Sequence, residues 1–197
     1  MPRHRRLAVA LILAGVAVAS LPSGAVAEPC AGPGTATTLC LLNAERAAEV
    51  LRPLRLDGRL ARAALGHSRD MVARGYFEHV SPSGERLAQR VARTGWLLPR
   101  PHWILGETLA WGRGALADPA AVVAAWMRSP SHRHVVLRRG YRRVGIAIVA
   151  GTPFGPAGDG ATYTADFGAG RLAVRRGRAP RRVRRGGRRA ARAARRA

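Results

Sequence analysis

The last 27 residues of this chain are too rich in arginine to fold, so the folded part must lie before them. The segment from Arg171 to Ala197 consists mostly of arginine, alanine and glycine, with thirteen arginines and no acid. Such a segment cannot bury enough apolar surface to offset the entropy lost on ordering. We therefore predict a disordered tail over residues 171–197.

Two interpretations of this tail remain open. A polybasic arm would adhere to an anionic cell-envelope surface, such as phospholipid head groups or wall polymers. Nucleic acid would attract the same charge, but an exported protein rarely meets it. Alternatively, the tail is a solvated product of a GC-rich coding sequence, which would also explain why the chain contains no lysine.

The N-terminus has the three parts of a secretory signal peptide. MPRHRR is a cationic start, LAVALILAGVAVA is an apolar run, and Ala25-Val26-Ala27 fits the small-x-small cleavage pattern. The apolar run is shorter than the ~20 residues of a membrane-spanning helix, although an uncleaved anchor is the alternative. We predict a signal peptide over residues 1–27 and a protein that is secreted or held in the cell envelope.

Export bears on whether the two cysteines are oxidised. Cys30 and Cys40 bracket a stretch rich in Gly, Pro and Thr, and exported proteins reach an oxidising compartment. We predict a disulfide that ties an N-terminal loop, residues 28–38, to the first helix. Free thiols or pairing between molecules are the alternatives.

The remaining sequence shows helical and then strand periodicity. Apolar residues at three- and four-residue spacing predict amphipathic helices, and apolar runs rich in β-formers predict strands. Thr37 or Thr38 is placed to cap the first helix, and Asp57 the second, which Gly75 ends. The stretch ILGETLAWG is a strand or a loop. The predicted helices lie at about 37–51, 57–75, 81–95 and 118–128, and the strands at about 143–151 and 161–168.

Residues 28–170 are left for a single domain. They hold eighteen arginines and all eleven acids, so only about +7 of the formal charge of +23 belongs to them. Their number suffices for one hydrophobic core. Helices that come first and strands that come last favour an α+β fold built in layers over repeated βαβ units.

Three polar residues are candidates for a site. His79 lies at the end of an element, where polar groups often line a cleft. Glu107 is an acid inside an apolar run, so its burial would require a partner. His132 lies at a predicted helix start, where the helix dipole lowers the pKa of the imidazole and keeps it neutral. We expect His67, on an apolar helix stripe, to be buried and hydrogen-bonded to backbone, and we assign His102 no role.

The sequence lacks the common catalytic and metal-binding motifs. It contains no HExxH, no G-x-S-x-G and no phosphate loop. His132 and His134 cannot chelate one ion together on a helix, because residues two apart point about 200° apart. One of the pair would face a site and the other solvent. A Ser-His-acid triad could be assembled from Ser129 or Ser131 with a distant His, but many proteins contain such residues, so the sequence does not favour it.

Taken together, these segments resemble the CAP (SCP-like) family, in its bacterial exported branch. The family includes cysteine-rich secretory proteins, antigen 5 and plant pathogenesis-related proteins. The resemblance rests on LLNAERAAEVL, GHSRDMVARGYFEHVSPSGERLAQRV, GETLA, AVVAAWMRSPSHRHVVL, RVGIAIV and TYTADFG, which occur in the family's order and spacing. It implies a CAP domain over residues 39–170, folded as a three-layer α-β-α sandwich with a central cleft.

In many members of this family, two His and two Glu line the cleft. The resemblance matches His79, Glu107 and His132 to three of them, whereas Ser129 stands where the second Glu would be. Thr108 replaces the Asn that usually follows the first Glu. The remaining His, Glu, His set could hold zinc or another divalent metal through three protein ligands. Alternatively, it forms a buried hydrogen-bonded cluster that joins two layers.

Three functional hypotheses follow. The leading one is an exported, monomeric, non-enzymatic binding module whose cleft, with His79, Glu107, Ser129 and His132, holds a small or lipid-like ligand or a divalent ion. The second is a metal-dependent hydrolase with Glu107 as base and His79 and His132 as ligands. The third is an envelope-adhesion protein that acts through its polybasic tail.

Overall fold

A computed structural model describes Cys30, Gly32, Gly158 and residues 34–98, 100–155 and 160–171. The predicted signal peptide and the predicted tail beyond Arg171 lie outside these residues. No helix within them is long and apolar enough to cross a membrane. The described elements are α1 (Gly34–Ala48), β1 (Arg55–Leu56), α2 (Gly58–Arg74), α3 (Leu87–Arg93), β2 (His102–Arg113), a 3-10 turn (Gly114–Ala117), α4 (Pro119–Arg128), α5 (Pro130–Val136), β3 (Arg143–Ala150) and β4 (Gly160–Arg171).

The described strands form one four-stranded sheet in the order β1-β3-β4-β2. β1 runs parallel to β3, and the other neighbours are antiparallel. The sheet alternates between two faces because successive side chains of a strand point to opposite sides. Tyr163, Ala165 and Phe167 of β4 pack into one core with α1, α4 and α5. Thr164 and Gly168 face α2 and α3 on the other side.

Helices therefore cover both faces, which confirms the predicted three-layer sandwich. The second, smaller core lies under α2 and α3 and contains Leu60, Ala63, Val91 and Trp96. α2 lies very close to the sheet at Gly145, where a Cβ would come within 2.1 Å of the backbone nitrogen of Ala61. No residue larger than glycine fits there without displacing α2.

The outer edge of β2 is covered by side chains from the helical layer. The Tyr141 hydroxyl donates to the carbonyl of Leu105 at 2.9 Å, and the Trp126 indole donates to the carbonyl of Leu109 at 2.9 Å. These bonds attach α4 and the turn after α5 to the edge strand. They flank Glu107, which lies between the two carbonyls along the chain.

A buried arginine fixes the far end of α5. Arg46 of α1 is fully buried, and its guanidinium donates to the carbonyls of Arg52, Val136 and Tyr141. Charged groups need such partners to be buried. Arg46 thus ties α1 to the C-terminus of α5 and so helps to place His132.

The predicted helix ends are accurate for α2 but not for α1. Asp57 accepts from the backbone nitrogens of Arg59 and Leu60, and Gly75 ends α2 in the left-handed conformation, as expected. α1 begins at Gly34, so the predicted cap at Thr37 or Thr38 is wrong and the predicted loop over residues 28–38 is shorter. The Thr38 hydroxyl instead donates to the carbonyl of Gly34 inside the helix.

Two strand predictions also change. The ILGETLAWG stretch is part of β2, so the alternative of a loop is wrong. β4 continues to Arg171, which pairs with His102, because β2 offers a partner for each of its residues. The sheet therefore takes in the first residue of the segment predicted to be a disordered tail.

The predicted disulfide is present between Cys30 and Cys40. We expect the Cys30→Ala/Cys40→Ala variant to lose roughly 2–3 kcal/mol of unfolding free energy, since the bond closes a short loop in the unfolded chain. Cys40 is exposed, so its replacement leaves no cavity. Urea denaturation would measure the loss, with reduced wild type as the matched control. A variant as stable as the oxidised wild type would contradict this expectation.

Candidate functional site

The site is built around Glu107, a buried carboxylate in the middle of β2. Its side chain is 3 % exposed. Oε1 accepts a hydrogen bond from Nδ1 of His79 at 2.8 Å, and Oε2 accepts one from Arg90 at 2.6 Å. Each oxygen of this carboxylate thus has a charged or chargeable partner, as burial of an ion requires.

Arg90 connects this carboxylate to the loop that carries His79. It lies on α3 and is itself buried, with 3 % of its side chain exposed. A second guanidinium nitrogen donates to the carbonyls of His79 and Glu85. Because one arginine holds both Glu107 and the backbone of the loop, it fixes the position from which the His79 imidazole reaches the strand.

Asp166 lies directly across the strand pair from Glu107. The two residues are register partners on β4 and β2, and Asp166 is fully buried. Among the described residues, no N–H or O–H group donates to either Asp166 oxygen. Its remaining polar interaction is with the Glu107 carboxylate. Two ionised carboxylates cannot share a hydrogen bond, so one of them must carry a proton.

The environment assigns this proton to Asp166. Burial, followed by the charge of Glu107, raises the pKa of Asp166 well above its ordinary value. Burial also opposes ionisation of Glu107, but the hydrogen bond from His79 and the charge of Arg90 outweigh it and hold the pKa of Glu107 below its usual value. Burial and the charge of Glu107 therefore favour the protonated form of Asp166 beside an ionised Glu107.

His67 belongs to the same layer but stays neutral. It is buried on α2, and its Nε2 hydrogen-bonds to the carbonyl of Glu78 at 2.9 Å. Burial lowers its pKa more than the charge of Glu107 raises it. This confirms the expectation of a buried histidine bonded to backbone.

His132 is the member of its pair that faces the site. It is half-buried on α5, whereas His134 is exposed. Burial lowers the pKa of His132, and the charge of His79 lowers it further. Both effects favour the neutral imidazole that the sequence predicts. Ser129, at the junction of α4 and α5, bonds to Ser131 at 3.2 Å.

The residues do not fit a metal ion. In the described part of the chain, no group of three or more His, Cys, Asp or Glu side chains could hold one. The reason is local, because Glu107 already receives His79 on one oxygen and Arg90 on the other. A guanidinium bonded to the carboxylate repels a second cation. In this structure Glu107 pairs with His79 and Arg90, so the expected set of His79, Glu107 and His132 does not form a metal-holding group among the described residues.

Two residues of this cluster escape sequence reasoning. Arg90 lies on a short helix among many arginines, and nothing in its spacing distinguishes it. Asp166 gives a signal that could have been used, since it is an acid inside an apolar strand. The same signal identifies Glu107.

Comparison with known proteins assigns the fold to a family. The model of the CAP, cysteine-rich secretory protein family matches residues 39–155. The chain belongs to this family. Two Bacillus subtilis proteins match as well: the uncharacterized protein YkwD is 33 % identical over 109 residues, and the uncharacterized membrane protein YlbC is 31 % identical over 110 residues. The matches cover 55 % and 56 % of this chain but only 40 % and 30 % of the relatives.

Solved structures support the same fold. An extracellular SCP-domain protein from Bacillus anthracis is 27 % identical, with a TM-score of 0.55 over 66 % of this chain and 38 % of its own length. An outer surface protein from Borrelia burgdorferi is 20 % identical, with a TM-score of 0.56 over 68 % of this chain and 90 % of its own length. The CAP fold thus occurs in bacterial proteins outside the cytoplasm.

The protonated state of Asp166 has a measurable consequence. The unfolded chain releases this proton near the ordinary aspartate pKa of 3.8, whereas the folded chain keeps it. The contribution of this group to the free energy of unfolding is therefore complete below that pH, and it decreases as the pH rises toward the pKa of the folded state. An amide would donate to Glu107 without carrying a titrating proton. We expect Asp166→Asn to gain stability relative to wild type as pH rises from about 5 to about 8.

Urea denaturation at several pH values would measure this difference. Asp118→Asn is the matched control, because Asp118 is exposed and its side chain makes no capping hydrogen bond. If the curves of wild type and Asp166→Asn ran parallel with pH, Asp166 would be ionised in the folded protein.

Loss of the Glu107 charge should destabilise the domain. Glu107→Gln would leave Arg90 buried without a counter-ion, which costs about 3–5 kcal/mol. The control is Glu85→Gln at the more exposed Glu85–Arg93 pair, where less than about 1 kcal/mol is expected. Thermal or urea unfolding would compare the two variants, and equal losses would contradict a structural role for the buried pair.

Proposed function

We propose that this chain is an extracellular, non-catalytic binding module of the CAP family, whose cleft beside β2 holds a small anionic or lipid-like carboxylate. The observation that carries the proposal is the occupation of both Glu107 oxygens by His79 and Arg90. A general base must have its carboxylate within reach of substrate, whereas the Glu107 side chain is 3 % exposed and is paired with His79 and Arg90.

The charges of the site favour an anion. The positive charge of Arg90 offsets the negative charge of Glu107, and Asp166 favours its protonated, neutral form. A protonated His79 therefore gives the site a net positive charge. The Glu107 hydrogen bond raises the pKa of His79, and its side chain is 57 % exposed. A protonated, accessible imidazole is suited to a carboxylate, with the nearby neutral His132 as a second hydrogen-bonding group.

The location of the protein follows from two arguments. Its structural relatives are extracellular and outer surface proteins, and the sequence predicts a cleaved signal peptide. Because the chain spans less than half the length of its curated relatives, whatever else those proteins do is not carried over.

Decanoate, a carboxylate on an aliphatic chain, is a direct probe. We expect it to shift the imidazole NMR signals of His79 and His132 in the full chain at about pH 6, and to bind more weakly at higher pH, because deprotonation of His79 removes the positive charge of the site. His132→Ala should weaken binding about tenfold, the value of one hydrogen bond of ~1.4 kcal/mol. His134→Ala, two residues away and exposed, is the matched control.

Zinc provides a second arm of this experiment. We expect zinc titrated into the same protein to release no heat beyond dilution. Micromolar binding that is lost in His132→Ala but kept in His134→Ala would replace the proposal with a metal site and favour the hydrolase hypothesis. Equal effects of decanoate on both variants would place the ligand outside this cleft.

A further inference from the structure

A basic groove lies at the end of the sheet where β2 begins and β4 ends. It has a volume of about 760 Å³. None of the residues of the Glu107 cluster line it, so it is separate from the site described above. Its walls come from the α1–β1 and α3–β2 connections, the starts of β2 and β3 and the end of β4, and they include Arg52, Arg100, Trp103, Arg142, Arg143 and Arg171.

The groove is strongly cationic. Five of the lining residues are arginines, and none is an acid. An adjoining cavity of about 300 Å³ shares three of them and adds Arg55. Burial lowers the pKa of Arg100, and nearby Arg59 and Arg143 lower it further, against the opposing charge of Asp57. Like charges held this close favour an anion that relieves their repulsion.

The nearby acid is already engaged elsewhere. One oxygen of Asp57 accepts from the Trp96 indole at 3.0 Å, and the other caps α2. Asp57 therefore does not occupy the groove, although its charge offsets part of the repulsion between Arg100 and the neighbouring arginines. The remaining arginine charge faces outward, since Arg52, Arg143 and Arg171 are exposed.

Apolar side chains stand beside these arginines. Leu98, in the connection between Trp96 and Arg100, is 87 % exposed, and Trp103 at the groove is 43 % exposed. The Arg100 guanidinium stacks on the Trp96 ring at 4.3 Å. Tryptophan and arginine together are typical of the membrane interface, where the ring enters the headgroup layer and the guanidinium binds phosphate.

From this combination we infer that the groove binds the phosphate of anionic phospholipid head groups and docks the domain on a membrane surface. Arg143 and Arg171 contact phosphate, and Trp103 and Leu98 enter the interfacial layer. Guanidinium groups pair with phosphate through two parallel hydrogen bonds, which explains why arginine suits this task. Arg171 is also the last residue of β4, and the sequence that follows it is rich in arginine.

The test uses the full chain, so that the arginine-rich end contributes equally to every variant. Sedimentation with vesicles of 30 % phosphatidylglycerol in phosphatidylcholine would measure binding, with pure phosphatidylcholine vesicles as the reference. We expect Arg143→Gln/Arg171→Gln to weaken binding about tenfold, from the loss of two cationic contacts near the surface. Arg69→Gln/Arg128→Gln removes the same charge from exposed residues outside the groove and should change it less than about twofold.

A second pair of variants tests the apolar contact. Trp103→Ala should weaken vesicle binding and remove the fluorescence blue shift that a membrane-inserted indole gives. Trp111→Ala, at the other end of β2 and 40 % exposed, should do neither. The arginines replaced in the two double variants are all exposed. We therefore expect thermal unfolding to show that both double variants remain folded.

Three outcomes would overturn the inference. If the groove variant and the control arginine variant lost vesicle binding equally, binding would depend on net charge alone. Groove-dependent binding of soluble glycerol phosphate, without binding to the vesicles, would indicate a site for a small phosphate ester. Groove-dependent binding of a duplex oligonucleotide in preference to the vesicles would indicate nucleic acid.

Discussion

A carboxylate buried in the middle of an edge strand is the constraint on which the rest of this domain depends. Glu107 cannot be ionised there unless the layers around it supply charge and hydrogen bonds. α3 supplies Arg90, the loop after α2 supplies His79, and β4 supplies a protonated Asp166. One residue thus fixes how a helix, a loop and a second strand lie relative to β2.

The pairing that stabilises Glu107 also disfavours the hypothesis that it acts as a general base. With His79 on one oxygen, Arg90 on the other and 3 % of its side chain exposed, Glu107 is poorly placed to reach a water or a metal. Since Ser129 stands where a second acid would be expected, no other carboxylate takes over that role at the junction of α4 and α5. The proposed binding role therefore rests on the exposed His79 and the half-buried His132.

The sequence predicts those features that are local. Asp57 and Gly75 mark the ends of α2 because capping chemistry acts within a few residues. His67 and Glu107 stand out because a polar residue in an apolar pattern must find a partner when it is buried. The sequence does not predict where α1 begins, because Gly34 has no capping signal and the start of this helix depends on packing against β3.

The partners themselves could not be predicted from the sequence. Arg90 is one of 34 arginines, and only the packing of α3 against β2 selects it for Glu107. Asp166 meets Glu107 because of the register of β2 and β4, which a single sequence does not reveal. The basic groove likewise contains arginines from four separate segments of the chain, so no single stretch of the sequence predicts it.

The covered edge of β2 has a consequence for how this protein meets its own copies. A free strand edge offers a row of unpaired carbonyls to which another chain can add. Here two outward carbonyls, those of Leu105 and Leu109, are occupied by the side chains of Tyr141 and Trp126. A second molecule would have to displace both before its strand could extend the sheet. Trp126 of α4 and Tyr141 of the turn after α5 thus protect part of this edge strand from pairing with a second copy.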